Sequence, residues 1–256
     1  MSASFDLVVL SPHLDDGVLS CGARLAATAA AGGRGRVVTV FAGDEPAQPA
    51  GKLATELRAL WHLPPGQVVA SRRAEDREAC RRLGVEAEAW LLPEALYRTR
   101  ADGAPLYPTL GALFGEVAPD DAPTVDEVAA RIAALPPVRL LLAPLGVGGH
   151  VDHRTVRRAA EASGRQVAFY EEFPYSEWKW FAVERALGGR SGWASESLPV
   201  DPELAERRLD AMRAYASQIP VLFRSEARLA RHLRRAARRA GGERIWRRSR
   251  PGAPAR

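Results

Sequence analysis

Short apolar runs alternate with amphipathic stretches along the first two-thirds of the chain. Phe5 to Leu10 (FDLVVL) predicts a strand buried on both faces, and it stops at Ser11-Pro12. Val18 to Ala31 predicts a helix ending at Gly32-Gly33, and Arg36 to Phe41 a second strand broken at Gly43-Asp44. Ser71 to Leu83 reads as a helix stopped by Gly84, and Ala87 to Leu92 as a third strand. A helix over Val125 to Leu135, a buried strand over Val138 to Ala143 (VRLLLA), a helix over His153 to Ser163 and a strand over Val167 to Tyr170 complete the series. The alternation predicts an α/β, Rossmann-like fold: a mostly parallel sheet with right-handed crossovers and helices on both faces. Residues 101–124, rich in glycine, proline and aspartate, are too long for an ordinary connection and are expected to form an excursion near a site. Beyond Pro174, aromatic-rich and helical pieces follow without strand alternation.

Composition narrows the class. At 256 residues, with 46% hydrophobic and 26% charged positions, the chain suits one well-buried domain and excludes a disordered or fibrous protein. Two cysteines, Cys21 and Cys80, exclude a disulfide framework and a four-cysteine zinc cage, and both are expected as small buried hydrophobes. The N-terminus reaches Asp15-Asp16 too soon for a signal peptide, and no run approaches the roughly 18 apolar residues of a spanning helix. A cytoplasmic protein with no membrane span is the expectation. The net charge of +5 is unevenly placed: residues 224–256 hold 12 arginines and 2 glutamates, while the remainder is mildly acidic. This divides the chain into a single catalytic domain over 1–223 and an arginine-rich helix or tail over 224–256, expected to fray into solvent. Arginine is the general cation, with Lys52 and Lys179 the two lysines, so single arginines carry little information and no nucleic-acid partner is expected.

Two polar clusters stand at the carboxyl ends of predicted strands, where open α/β sheets bind ligands. Pro12-His13-Leu14-Asp15-Asp16-Gly17 follows the first strand, and Gly148-Gly149-His150-Val151-Asp152-His153 follows VRLLLA. His13 with Asp16, and His150 with His153, share an i, i+3 spacing that brings side chains together on one side of a turn. Imidazole and carboxylate form a donor set for Zn2+, whose catalytic sites use three protein ligands and keep one position open. Four candidates compete for three places, and Asp15 is left over as a group to take a proton from water. A simpler reading makes Asp15 or Asp16 the N-cap of the following helix, and the histidines solvated loop residues. The same donors would serve a metal-dependent esterase or phosphoesterase. An acidic crevice or basic tail without metal would serve a non-catalytic binding module. No Gly-x-Ser-x-Gly elbow is present.

Ser11-Pro12-His13-Leu14-Asp15-Asp16 with His150-Val151-Asp152-His153 resembles the two boxes of the PIG-L/LmbE-like zinc-dependent de-N-acetylases, with leucine and valine in place of the middle prolines. Arg72 and Glu75 before Leu83-Gly84, the Leu92–Arg98 loop and Tyr215-Ala216-Ser217-Gln218 are similar to further family segments. The resemblance implies an LmbE-like fold and a hydrolase that removes acetyl from an N-acetylated amino sugar or glycoconjugate. It implies His13, Asp16 and His153 as zinc ligands and Asp15 as general base. His150 is implied as the group that stabilises the oxyanion or protonates the amine, with Asp152 orienting it. Arg72, Tyr97 and Arg98 are implied as substrate-binding. Some members carry a tyrosine just before the second box, where this chain has Val147 and Gly148, so either zinc and His150 suffice or a donor such as Tyr97 or Arg98 comes from elsewhere. Smaller expectations are an aromatic cluster at Tyr175, Trp178, Trp180 and Phe181 that packs a lid or core more often than it stacks on a sugar, and a substrate contact or solvated pair at Glu171 and Glu172.

Overall fold

In the computed structural model, which describes residues 4–59, 66–178 and 181–249, the alternation is realised around one seven-stranded sheet. Strand β1 (Phe5–Ser11) leads into helix α1 (Asp16–Ala30), then β2 (Gly35–Thr39), α2 (Lys52–Ala59), α3 (Val68–Leu83) and β3 (Glu86–Ala89). After a 3-10 turn at Ala95–Tyr97 come α4 (Leu110–Leu113), α5 (Ala122–Ala133), β4 (Val138–Pro144), α6 (Val151–Ala162) and β5 (Ala168–Tyr170). Helices α7 (Tyr175–Trp178) and α8 (Ala182–Leu187), β6 (Trp193–Leu198), α9 (Pro202–Met212), α10 (Ile219–Phe223), α11 (Glu226–Ala240) and β7 (Glu243–Arg248) complete the chain.

The strand order is β3-β2-β1-β4-β5-β7-β6, with the first five strands parallel and β7 and β6 antiparallel. Alternate residues of β1 serve opposite faces. Val8 and Leu10 pack with Val128 and Ile132 of α5 and Val156 of α6, whereas Leu7 and Val9 pack with α1, with Leu83 of α3 and with Met212 of α9. Helix α3 stops at Gly84, whose φ of 77° is the left-handed conformation that glycine adopts without strain. Cys21 and Cys80 are buried. No helix among the described residues is long and apolar enough to cross a membrane.

The arginine-rich segment departs from the expected loose tail. Helix α11 buries Leu229 and lays Leu233 and Ala236 on the core, and β7 enters the sheet between β5 and β6 with Ile245 and Trp246 buried. Arg247 and Arg248 of the same strand stay exposed. Glu243 is also buried. It accepts from the N–H groups of Ala23 (2.7 Å) and Arg24 (2.8 Å) in the middle of α1 and lies 3.4 Å from Arg208 of α9, which donates to the Leu19 carbonyl. The end that was expected to fray, with Trp180, falls outside the described residues.

From β1 the chain winds outward through β2 and β3, then returns to lay β4 on the other side of β1. The loops after β1 and β4 therefore part at a topological switch point, which leaves a crevice between them. Both polar clusters lie there.

Candidate active site and metal centre

The loop from Pro12 to Asp15 turns tightly off β1. Ser11 Oγ donates to the His13 carbonyl and accepts from the Gly17 N–H, and the His13 N–H donates to Asp16 Oδ2 at 3.0 Å. Asp15 occupies the position before α1 but caps none of its N–H groups, so the simple helix-cap reading does not hold for it. Its buried carboxylate lines a small cavity of about 170 Å3, with Arg72 at 3.9 Å. Across the crevice, the loop after β4 delivers His150 as the N-cap of α6 and His153 in its first turn.

Three side chains converge. Asp16 Oδ2 lies 3.2 Å from His13 Nδ1 and 3.2 Å from His153 Nε2. His13, Asp16 and His153 each offer a ligand atom within 4.8 Å of the others, as a single metal ion requires. His153 Nε2 is buried facing the Asp16 carboxylate without a well-aligned hydrogen bond among the described residues, and a buried ring nitrogen beside a carboxylate fits a cation. The opposite ring nitrogens are held from behind. His13 Nε2 meets Asp152 Oδ2 at 2.9 Å, and His153 Nδ1 meets Glu172 Oε1 at 3.2 Å. Carboxylates in those positions fix the tautomer and raise the basicity of a ligating imidazole. Alternative use of His13, His150 and Asp152 as a metal set is also geometrically open.

The electrostatics match this arrangement. Burial works against a charged His153, but Asp16 and Glu172 outweigh it and push the ring up to about 9; His13 is likewise raised by Asp152 and Asp16. Asp16 is held well below the carboxylate range because the two histidines overcome its burial. Asp15 is pushed up to about 7 by burial and the neighbouring Asp16 charge, against the pull of Arg72 and His13. His150 is pushed down to about 3 by burial and the adjacent His13, so it stands as a neutral imidazole. Its Nδ1 accepts from the Asp152 N–H at 3.2 Å, which leaves the proton on Nε2.

The structure revises three expectations. Asp152 does not chiefly orient His150, whose Nδ1 is 3.9 Å from its carboxylate; it serves His13, and its other oxygen takes Arg98 at 2.7 Å. Arg98 does not line the cavity. It lies buried between Asp152 and Asp121, and Tyr97 packs with Leu96 and Tyr107 in the apolar cluster behind the cavity without lining it. Glu171 and Glu172 are neither a solvated pair nor part of this cavity's lining: Glu171 pairs with Arg244 and Trp246, and Glu172 stands wholly buried behind His153. Arg72 does line the cavity and bonds Glu94 at 3.2 Å. Trp178 packs against Tyr175, Phe223 and His232, and the half-exposed Phe181 rims a groove beside Gly148-Gly149.

Other lining residues carried no motif. Leu19, Leu57, Leu96, Leu113 and Leu222 make an apolar wall, and Phe114 packs edge-on against His150 at 5.2 Å. Leu113 and Phe114 come from the 101–124 excursion, which thus reaches the crevice as expected. Tyr175 also lines the cavity, edge-on to His153 at 5.8 Å; burial and the charges of Asp16 and Asp15 push its phenol up.

Comparison with known proteins agrees with this geometry. Residues 8–163 match the model of the PIG-L family, described as GlcNAc-PI de-N-acetylase. The 2'-N-acetylparomamine deacetylase of Niallia circulans is 32% identical over 244 residues, covering 85% of this chain and 82% of that protein. The crystal structure of the zinc-inhibited form of the teicoplanin deacetylase Orf2 matches with a TM-score of 0.80 at 31% identity, covering 98% of this chain and 100% of that one. The A40926 pseudoaglycone deacetylase Dbv21 matches with a TM-score of 0.73 at 30% identity, covering 98% and 99%.

Proposed function

Because the chain belongs to the PIG-L family of de-N-acetylases, and is thus a hydrolase of an amide bond, we propose that its substrate is an N-acetylated amino sugar carried on a larger antibiotic-type glycoside, and that its metal is zinc. The observation that carries this reading is the convergence of His13, Asp16 and His153 beside the uncommitted carboxylate of Asp15. A bound zinc would polarise the amide carbonyl and make water acidic enough to react at neutral pH.

This chain's own residues supply the rest. Asp15 takes the proton of the attacking water and returns it to the departing amine. His150, neutral and protonated at Nε2, donates to the carbonyl oxygen as charge develops there. Asp152 and Glu172 hold His13 and His153 in the ligating tautomer, and Arg98 keeps Asp152 ionised. The leucine wall shields the acetyl methyl from water. The cavity is small, so the bulk of a glycoside lies outside it, toward the groove rimmed by Phe114 and Phe181. The two antibiotic-tailoring relatives support the substrate class, since each matches this chain across most of its length.

Purified protein assayed against a panel of N-acetylated amino sugars, aminoglycosides and glycopeptides tests the proposal. Equal release of acetate and free amine is expected, with about one zinc per chain by elemental analysis. Asp15→Asn is expected to keep zinc and lose turnover by about 100-fold or more. Asp16→Asn is expected to lose the metal. Amide hydrolysis by metal-free protein, or zinc loss from Asp15→Asn but not Asp16→Asn, would reverse the assignment.

A further inference from the structure

Resting on the de-N-acetylase reading, we propose that the hydroxyl of Tyr175 is a second hydrogen-bond donor to the amide oxygen as it becomes negatively charged. The reaction concentrates charge on that oxygen, and donors fixed in advance around it lower the barrier most. Among the side chains that line the cavity, His13, Arg72, His150, Tyr175 and Gln218 can carry N–H or O–H groups, and both ring nitrogens of His13 are taken by Asp16 and Asp152. Arg72 is committed to Glu94 and Asp15, and Gln218 Nε2 donates to Ser217 Oγ at 2.9 Å. His150 and Tyr175 are left, each beside His153, with ring centroids 5.7 and 5.8 Å from it. Among the described residues the Tyr175 hydroxyl has no hydrogen-bond partner.

Gly148 makes this placement possible. The loop after β4 offers no side chain at this position, two residues before His150. A Cβ built there would fall 2.8 Å from Cγ of Tyr175 and 2.9 Å from its Cδ1. The phenol ring thus lies directly on the glycine, in space that any other residue would claim. The ring has a second support. Trp178 packs edge-on to it at 6.0 Å, and Glu177 of the same short helix is gripped by His232 at 2.9 Å and Arg235 at 3.1 Å from α11. The basic helix at the end of the chain therefore fixes a donor at the active site. During the reaction the phenol keeps its proton. It shares that proton with the oxygen while the carbonyl electron pair resides there, and relaxes when the C–N bond breaks and the amine leaves with a proton from Asp15.

Tyr175→Phe keeps the ring and removes the hydroxyl. With zinc-loaded protein and an N-acetyl amino sugar, kcat is expected to fall on the order of 100-fold, with KM and zinc content unchanged. Affinity for a methylphosphonamidate analogue of the substrate, tetrahedral and anionic at the reacting centre, is expected to fall with kcat. Affinity for the N-acetyl substrate itself, measured in an Asp15→Asn background, is expected to stay constant. Gly148→Ala pushes the ring aside, so it should lower kcat in the Tyr175 enzyme and far less in Tyr175→Phe. A Tyr175→Phe enzyme within about twofold of the parent in kcat and in analogue affinity would overturn the proposal, as would equal weakening of substrate and analogue. Parent protein that releases acetate while Tyr175→Phe matches it overturns only the role of Tyr175; parent protein that releases none overturns the de-N-acetylase reading as well.

Discussion

Replacing Glu243 with alanine is expected to be among the most costly single changes outside the active site. Its carboxylate accepts from two N–H groups inside α1, at 2.7 and 2.8 Å, and faces the guanidinium of Arg208, with both side chains more than nine-tenths buried. Two hydrogen bonds to a charged acceptor are worth about 1.5–3 kcal/mol each, and stranding one member of a buried ion pair costs about 3–5 kcal/mol. One carboxylate makes all three contacts, so these figures overlap, and a loss of about 4 kcal/mol is expected. For a chain of this size, that corresponds to a fall in Tm of roughly 8–16 °C. Glu243→Gln retains one acceptor and should fall between parent and alanine variant. Glu196→Ala is the control: Glu196 also meets Arg24, but from an exposed position, so it should cost less than about 1 kcal/mol. Thermal unfolding followed by circular dichroism on the metal-loaded proteins gives the comparison. A Glu243→Ala protein within about 2 °C of its parent would show that the N–H groups of Ala23 and Arg24 find other acceptors, and that β7 does not secure α1.

Three further changes address the polar scaffold and the end of the chain. Arg98→Met leaves Asp121 and Asp152 as uncompensated buried charges and should lower stability by about 3–5 kcal/mol in denaturant titrations. Asp152→Asn removes the charge behind His13 and is expected to weaken zinc binding by about 10- to 100-fold, read by competition with a chromogenic chelator. Truncation after Gly241 removes the strand that joins β5 to β6, so the product should be recovered without native near-ultraviolet dichroism rather than as an active, shortened enzyme.

Four of the five parallel strands were legible because they are short apolar runs; the edge strand β3 (Glu86–Ala89, EAEA) is mostly exposed and begins and ends earlier than the expected Ala87–Leu92. The expected strand at Phe5–Leu10 and the observed Phe5–Ser11 differ by one residue. β6 and β7 left no such mark. WASESL lies mostly exposed beside a single neighbour, and ERIWRR hides three buried positions, Glu243, Ile245 and Trp246, among arginines. At the site, residue types and spacing brought out His13, Asp15, Asp16, His150 and His153. What spacing does not report is which side chain stands behind which. Asp152 is adjacent in sequence to His153 yet serves His13, 139 residues away, and Glu172 reaches His153 from the strand beyond. Tyr97 and Arg98 sit in the matching loop but face inward, because Asp121 and Asp152 draw the guanidinium into the interior.

The position of β7 inside the sheet also sets an order of assembly. The contacts of Glu243 with α1 join residues 220 and 219 apart, and β6 has no neighbour in the sheet except the strand synthesised after it. Both catalytic boxes and the parallel strands between them are complete by His153, so their local contacts can form while the rest of the chain is still emerging. Long-range closures of this kind are slow, since the entropy of a large loop is lost before any contact compensates it. Until β7 arrives, β5 presents an open edge to neighbouring chains, the circumstance in which nascent sheets pair wrongly. The enzyme thus carries both of its catalytic boxes in an earlier-made part of the chain than the strand that locks the sheet.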